Sequence, residues 1–346
     1  MDTTQLEESI ALLVRLGSEK KKRTVFTISN TSKVAGVGSY LTPIREFYNL
    51  IVSGVVVYCP EIAKNAATLA DGRVNYVFVD AEKKIPKDPK SGEHINIELD
   101  VKRIVANSCC ISYKANDMSV DAAELFISEI YRKDILGVGR KKIALIGLGN
   151  IGFKLALKLV ERGASVHCYR RERDALLRMV DTINLVKSKY TLASAIAADS
   201  VRGACKSADI ILGVTNGIGA ISESDLDGLS QDAFVMDIGK GSFSADASAF
   251  LLQKKIPEYR LSIEHVFEGF LEAHIALESR YMSKVGRNFL NGISVVSGGL
   301  TAYKGEAVVD DFRAPKVVYG IGNGRGDFQK TNRERIKDVQ LKLGIV

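Results

Sequence analysis

Apolar and polar positions follow two different rhythms along this chain. In the opening segment Leu6, Ile10, Leu13 and Val14 recur at helical spacing and predict an amphipathic helix. The basic run Lys20-Lys21-Lys22-Arg23 that follows reads as a solvated linker. From Thr24 the rhythm shortens to the β-rich runs "TVFTIS", "VVVYC" and "YVFVD", which predict strands alternating with helices. "EKKIPKDPKSGEH" (82–94) holds two prolines and is predicted to be a surface loop. Helical spacing returns in "VDAAELFISEIYRKDI" (120–135), with Ala123, Phe126, Ile127 and Ile130 on one face and a stop at Gly137.

A second βα series begins at residue 139. "KIALI" and "ASVHCY" read as strands around the helix "FKLALKLVERG". They are followed by the strand "ADIILGVTN" (208–216), the short helix "SESDLDGL" and the strand "DAFVMDIGKG" (232–241). The helix "SADASAFLLQ" and the strand "RLSIEHVF" close the series. Such alternation predicts a parallel sheet with right-handed crossovers. The expected fold class is therefore α/β. A Rossmann-type doubly wound sheet covers 139–266, after an N-terminal α/β substrate domain at 1–138. Residues 267–346 form a C-terminal segment expected to pack back on the N-terminal domain. In that segment "YGIGNGRGDF" (319–328) reads as a mobile loop and not as a second nucleotide site. "SNTSKVAGVGSYLTP" (29–43) is a polar, glycine-rich connection suited to touching substrate, or to joining two elements and nothing more.

Composition narrows the class. With 46% apolar and 26% charged residues and only six prolines, the chain has material for a real core. No apolar run approaches the roughly 18 residues of a membrane span, and "MDTTQLEESI" lacks the basic-then-apolar order of a signal peptide. The five cysteines form no CxxC pair, so reduced thiols in a cytoplasmic protein are expected. A net charge of +7 raises the question of nucleic acid. The basic residues are dispersed, and neither an aromatic-basic platform nor a helix-turn-helix pattern is present. A mild positive excess suits an enzyme with anionic ligands. No HExxH, cysteine quartet or carboxylate cluster points to a metal.

The strongest motif is "IGLGNIG". Gly147, Gly149 and Gly152 occupy the three glycine positions between a buried strand and an amphipathic helix. There the first glycine permits the tight turn, the second lets a pyrophosphate approach, and the third lets the helix pack close. Asn150 and Ile151, between the second and third glycines, open the helix whose N-terminus would face the phosphates. An acidic residue usually holds the adenosine ribose at the tip of the next strand. That tip carries Arg170, 23 residues after Gly147, and Arg171. Two guanidinium groups suit a 2′-phosphate, so NADP is favoured over NAD. The alternative leaves the ribose to Glu172 or Asp174, with both arginines in solvent.

"ALIGLGNIG", "SADIILGVTN", "FVMDIGKGSF" and "IEHVFEG", in that order, resemble the nucleotide domain of the D-2-hydroxyacid dehydrogenases. Those enzymes show a GLGxIG turn, an ADxV strand, an NxxRG exit loop and a DVFE-like segment. "VDAAELFISEI" is similar to their interdomain helix, so the resemblance spans roughly 104–269. It implies a two-domain NAD(P)-dependent Rossmann dehydrogenase. The family's catalytic arginine falls here on Lys240, and no Pro-His element matches, since His274 follows "VFEG" too soon. A broader relationship to two-domain amino-acid or shikimate-type dehydrogenases would give weight to "SYKAND", with Lys114 and Asp117.

Hydride transfer at a carbonyl carbon needs a proton carrier beside the oxygen and a cation to polarise it. Open α/β sheets hold ligands at the carboxyl ends of their strands. Three segments are expected there, "VTNGIG", "DIGKGSF" and "EHVFEG". The catalytic candidates are Lys240, Lys114 and His265, with Thr215 and Asn216 placed to line the nicotinamide. His94 and His167 receive no function. The expected activity is NADP-dependent oxidoreduction of a small anionic oxo or hydroxy compound. A dinucleotide-binding sensor without turnover is the alternative. The expected partners are that small molecule and further copies of the chain, most simply a dimer, with neither nucleic acid nor membrane.

Overall fold

The computed structural model describes residues 3–31, 38–85, 92, 95–230, 232–330 and 333–345. They divide into two compact units, Met1–Glu268 and Gly269–Val346. Two sheets belong to the first.

The first sheet is built from α1 (Thr3–Lys20), β1 (Arg23–Asn30), β2 (Tyr40–Glu46), β3 (Leu50–Val57), α2 (Pro60–Ala70), β4 (Tyr76–Asp80), α3 (Ile97–Ile104), β5 (Cys109–Tyr113) and α4 (Ala115–Ile130). Its strand order is β2-β3-β1-β4-β5, parallel except for β2, which runs antiparallel to β3. Leu6, Ile10 and Leu13 of α1 are fully buried with Phe26, Ile28, Ile51 and Val55. The buried face of α2 is Ala63, Ala66, Ala67 and Ala70, a helical stripe of small residues that allows close approach to the strands. The basic run after α1 is partly tied down, since Lys20 and Lys22 both pair with Glu46. The glycine-rich connection ends in β2, which its residues 40–43 begin, while 32–37 lie outside the described residues. Part of the expected 82–94 loop also lies outside them.

The second sheet comprises β6 (Lys142–Ile146), α5 (Asn150–Glu161), β7 (Ser165–Tyr169), α6 (Arg173–Val186), β8 (Ala195–Ala197), α7 (Val201–Cys205), β9 (Ile210–Gly213), β10 (Phe234–Asp237), α8 (Ala245–Gln253) and β11 (Glu258–Arg260). All its strands are parallel, in the order β11-β10-β9-β6-β7-β8. The order reverses at β6, which has β7 on one side and β9 on the other. Ligands of doubly wound sheets sit in the crevice at the carboxyl ends of such a pair.

Packing and charge join the two sheets through α4. Val120, Ala123 and Ile127 enter the core of the second sheet beside Ile143, Leu145 and Leu155. On the polar edge Asp117 pairs with Lys154, Asp121 with Lys158 at 2.9 Å, and Glu124 with Lys158 and Arg162 at 2.6 Å each.

"RLSIEHVF" is not one strand. Only Glu258–Arg260 pairs in the sheet, and helix α9 (Glu264–Ala276) begins within the expected strand. Phe267, Leu271 and Ile275 are buried at four-residue spacing, a helical stripe that overrides the local β-branched residues. "SESDLDGL" holds only a 3₁₀ turn, Glu223–Asp225, closed by a reciprocal Ser222–Asp225 cap.

The boundary between the two units falls inside α9. The second unit adds β12 (Gly286–Leu290), β13 (Ile293–Ser297), β14 (Ala307–Val309), β15 (Val318–Ile321) and α10 (Arg333–Leu343). Its strands lie in sequence order around a core of Val295, Ala307, Val309, Val318, Ile321 and Val339. "YGIGNGRGDF" therefore starts as an edge strand and closes as a tight turn. The amide of Asn323 donates to the carbonyl of Asp327 at 2.9 Å, and Gly322 pairs with Phe328.

Candidate functional site

The glycine turn lies at the carboxyl end of β6. Gly147 has φ of +108°, and a side chain there would reach within 2.5 Å of the Val214 carbonyl oxygen. A Cβ on Gly152 would stand 2.2 Å from the Gly147 carbonyl oxygen, so only glycine lets α5 start this close to the strand. Gly149 differs, because a Cβ there meets no atom within 4 Å. It precedes α5 without a side-chain cap, and Phe153 makes the first bond of the helix, 2.8 Å to the Gly149 carbonyl. The amides of Asn150, Ile151 and Gly152 thus have no partner within the helix. Unpaired amides at a helix N-terminus beside a glycine turn are an arrangement that can hold an anion.

At the tip of β7 the two arginines behave differently. Arg170 donates to the carbonyl oxygen of Leu148 at 3.0 Å and pairs with Glu172 at 3.2 Å. Arg171 is exposed, and among the described residues it makes no hydrogen bond or ion pair.

The loops after β9 and β10 are knotted together. Asp237 is buried, and its carboxylate accepts from the amides of Gly241 and Ser242. The hydroxyl of Ser242, itself fully buried, lies 3.3 Å from the Thr215 amide and from Thr215 Oγ1. A Cβ on Gly239 would fall 2.2 Å from the Thr215 carbonyl oxygen. This packing drives Lys240 into left-handed backbone, φ +58°, and leaves its side chain exposed.

These pieces line one cavity of about 1220 Å³. Gly147, Gly149, Asn150, Ile151, Gly152, Arg170, Arg171, Thr215, Asn216 and Lys240 all contribute to its wall. Two catalytic candidates do not. Lys114 is exposed at the start of α4 and lies outside the lining, although Asn116 belongs to it. His265 lies on the first turn of α9, where its Nε2–H donates to the Ala122 carbonyl at 2.9 Å and its ring packs on Phe126. It fastens α9 to α4 because the segment expected to be a strand exit is helical. His274, farther along α9, packs on Phe270, and burial lowers its pKa.

The opposite wall comes partly from the 29–43 connection, which was expected to suit substrate contact, and partly from residues near 58 and 83–84 that the sequence pattern did not single out. Its members are Asn30, Thr31, Tyr40, Tyr58, Lys83 and Lys84, from strand ends and loops of the first sheet. Lys84 lies 2.8 Å from both Asp80 and Glu82, and the Asp80 side chain is fully buried. Burial pushes the Asp80 carboxyl up, against the pull of Lys84. Tyr40 is also raised, by burial first and by Tyr58 second. The available signal was "DAEKK", an acidic strand end running into two lysines. Its charges alone read as solvated surface.

Residues 142–250 match the family model described as the NAD binding domain of 6-phosphogluconate dehydrogenase. The matched span takes in the glycine turn, both arginines and the Lys240 loop. No curated protein matches the chain. Among solved structures it is similar to a dipicolinate synthase chain from Bacillus halodurans, at 13% identity and a TM-score of 0.35, covering 68% of this chain and 88% of that one. It is similar to a phosphoglycerate oxidoreductase from Vibrio cholerae at 12% identity and a TM-score of 0.33, with 68% and 82% covered. A third is the anabolic ornithine carbamoyltransferase of Campylobacter jejuni, at 14% identity and a TM-score of 0.39, with 78% and 96% covered. The second sheet is a Rossmann domain of the NAD(P)-binding dehydrogenase type, and its cofactor is a nicotinamide dinucleotide.

Proposed function

We propose that this protein is an NADP-dependent oxidoreductase that moves a hydride between the nicotinamide and a small anionic oxo or hydroxy compound. One observation carries the reading. A single cavity is lined by an uncapped glycine turn, by two arginines at the ribose end and by a lysine beside the switch-point loops. The amides of Asn150, Ile151 and Gly152 bind the pyrophosphate. Arg171, with Arg170 behind it, takes the 2′-phosphate. Thr215 and Asn216 orient the nicotinamide, and Lys240 supplies positive charge to the substrate. When bound, the cofactor supplies or accepts the hydride. The test titrates NADPH and NADH by fluorescence, then follows absorbance with a panel of small oxo carboxylates. Tight NADPH binding and oxidation of NADPH by at least one member are expected. Absence of binding to either cofactor would overturn the reading, while binding without turnover across oxo and hydroxy compounds would favour a sensor.

A further inference from the structure

The wall facing the glycine turn carries an acceptor without a donor. Asn30, at the end of β1, is 6% exposed. Its Nδ2 donates to the Glu82 carbonyl at 2.6 Å, which fixes the direction of the amide. Its Oδ1 is buried and accepts no hydrogen bond from the described residues. A buried acceptor in that condition calls for an explanation, and a ligand donor is one.

Lys84 shares the same mount. Its ammonium lies 2.8 Å from Asp80 and from the carboxylate of Glu82, and its side chain is 18% exposed. One ammonium hydrogen bonds Asp80 and the charge pairs with Glu82, which leaves the ammonium a donor for a ligand. Both residues line the cavity, and both are tied to Glu82, one through its carbonyl and the other through its carboxylate.

We propose that Asn30 and Lys84 form a subsite for an alcohol hydroxyl of the substrate, an inference that rests on reading the cavity as an oxidoreductase site. A hydroxyl accepts from the Lys84 ammonium and donates its own hydrogen to Asn30 Oδ1. An oxo group satisfies Lys84 and leaves Asn30 orphaned, and a methylene satisfies neither. A carboxylate there would face Asp80, Glu82 and an amide oxygen, so the anionic end of the substrate belongs elsewhere in the cavity. The subsite thus favours the hydroxy form of a redox pair.

Ligand-observed NMR titration of the cofactor-free protein tests this without turnover. Racemic 2-hydroxybutyrate, 2-oxobutyrate and butyrate serve as probes. The hydroxy acid is expected to bind roughly tenfold tighter than butyrate, the scale of one hydrogen bond to a charged donor. The oxo acid is expected to fall between them. Lys84→Met strands the buried Asp80 carboxylate and threatens folding, so Asn30→Leu is the second variant, with a thermal melt on each. Either folded variant should lose the preference. Equal binding of all three acids by the wild type, or no binding of the hydroxy acid, overturns the subsite. NADPH titration of the same samples separates the two readings. Cofactor binding without a hydroxyl preference sinks the subsite alone. A hydroxyl preference without cofactor binding leaves the subsite and sinks the oxidoreductase.

Discussion

Arg170 donates its Nη1 to the carbonyl oxygen of Leu148 at 3.0 Å, tying the tip of β7 to the middle of the glycine turn. The same guanidinium reaches Glu172 and, at 3.8 Å, the sulfur of Met179. Arg171 has no such bonds among the described residues, and its Nη2 lies 3.5 Å from where a Cβ on Gly217 would stand. Two adjacent arginines therefore have separate tasks, one shaping the turn and the other available to a ligand.

This division gives distinguishable outcomes in cofactor titrations. The wild type should bind NADPH more tightly than NADH. Arg171→Ala should weaken NADPH by about 1.5–3 kcal/mol, the range for a hydrogen bond to a charged group, and leave NADH unchanged. Arg170→Asp should weaken both, because it also removes the bond to Leu148. Equal wild-type affinities would refute the 2′-phosphate assignment.

Two glycines of the site should fail in opposite ways. Gly149 faces open space, so Gly149→Val should abolish cofactor binding with unchanged circular dichroism and melting temperature. Gly239 faces the Thr215 carbonyl oxygen 2.2 Å from its would-be Cβ, so Gly239→Ala must shift the switch-point loop and lower stability by about 1–3 kcal/mol. Retained NADPH binding in Gly149→Val would place the nucleotide elsewhere.

The strand, glycine turn and helix of the second sheet were legible because that geometry is local. Its parts, from Gly147 to Arg171, sit within one βαβ unit whose periodicity and glycine spacing can be read directly. Of the opposite wall only the 29–43 connection was singled out, because Asn30, Tyr58 and Lys84 meet only through the pairing of β1, β3 and β4. Nothing near "DAEKK" signals that Asp80 ends up buried or that the Glu82 carbonyl accepts from Asn30. His265 misled for a related reason. Its neighbours resemble a strand exit, whereas Phe267, Leu271 and Ile275 commit the segment to a helix. Parallel strands followed from βα alternation, but the antiparallel β2 did not, because none of its seven residues is buried and it lacks an apolar run.

The clasp between α4 and α5 should give the fold an acid limb. Glu124 is buried, which opposes its charge, yet hydrogen bonds from Lys158 and Arg162 prevail and hold its pKa below the usual range. A depressed carboxyl contributes stability above its unfolded value of about 4.3 and loses it as pH falls through the folded value. Lys158 shifts upward, with burial opposed by Glu124 and Asp121, so its contribution is lost only as pH rises past about 10.4. Both lysine and arginine are more than a third exposed, so screening limits the effect of Glu124→Gln to about 1 kcal/mol at pH 7. Urea unfolding at pH 7 and pH 3.5 checks this. The gap between wild type and variant should narrow at the lower pH, and a gap of equal size at both would exclude the clasp as its source.

Lys240 combines an unfavourable backbone with a place in the cavity wall, and two substitutions pull these apart. At φ +58° a side chain costs about 1–2 kcal/mol relative to glycine, partly offset by the greater chain entropy that glycine loses on folding. Relief of that cost should make Lys240→Gly more stable by up to about 1 kcal/mol than Lys240→Met, which keeps the backbone cost and the aliphatic stem while removing the ammonium. Both should reduce turnover by roughly 10²-fold, the scale of losing one transition-state donor, with NADPH affinity held. Among the described residues five other non-glycine positions, Lys21 at +52° and Lys255 at +59° included, share this backbone outside the cavity lining, so turnover and not strain decides whether Lys240 takes part in chemistry. The measurement pairs thermal melts with initial rates on whichever oxo carboxylate the panel reveals as substrate. Full turnover in the stabilised Lys240→Gly protein would show that the residue is held there for reasons other than chemistry.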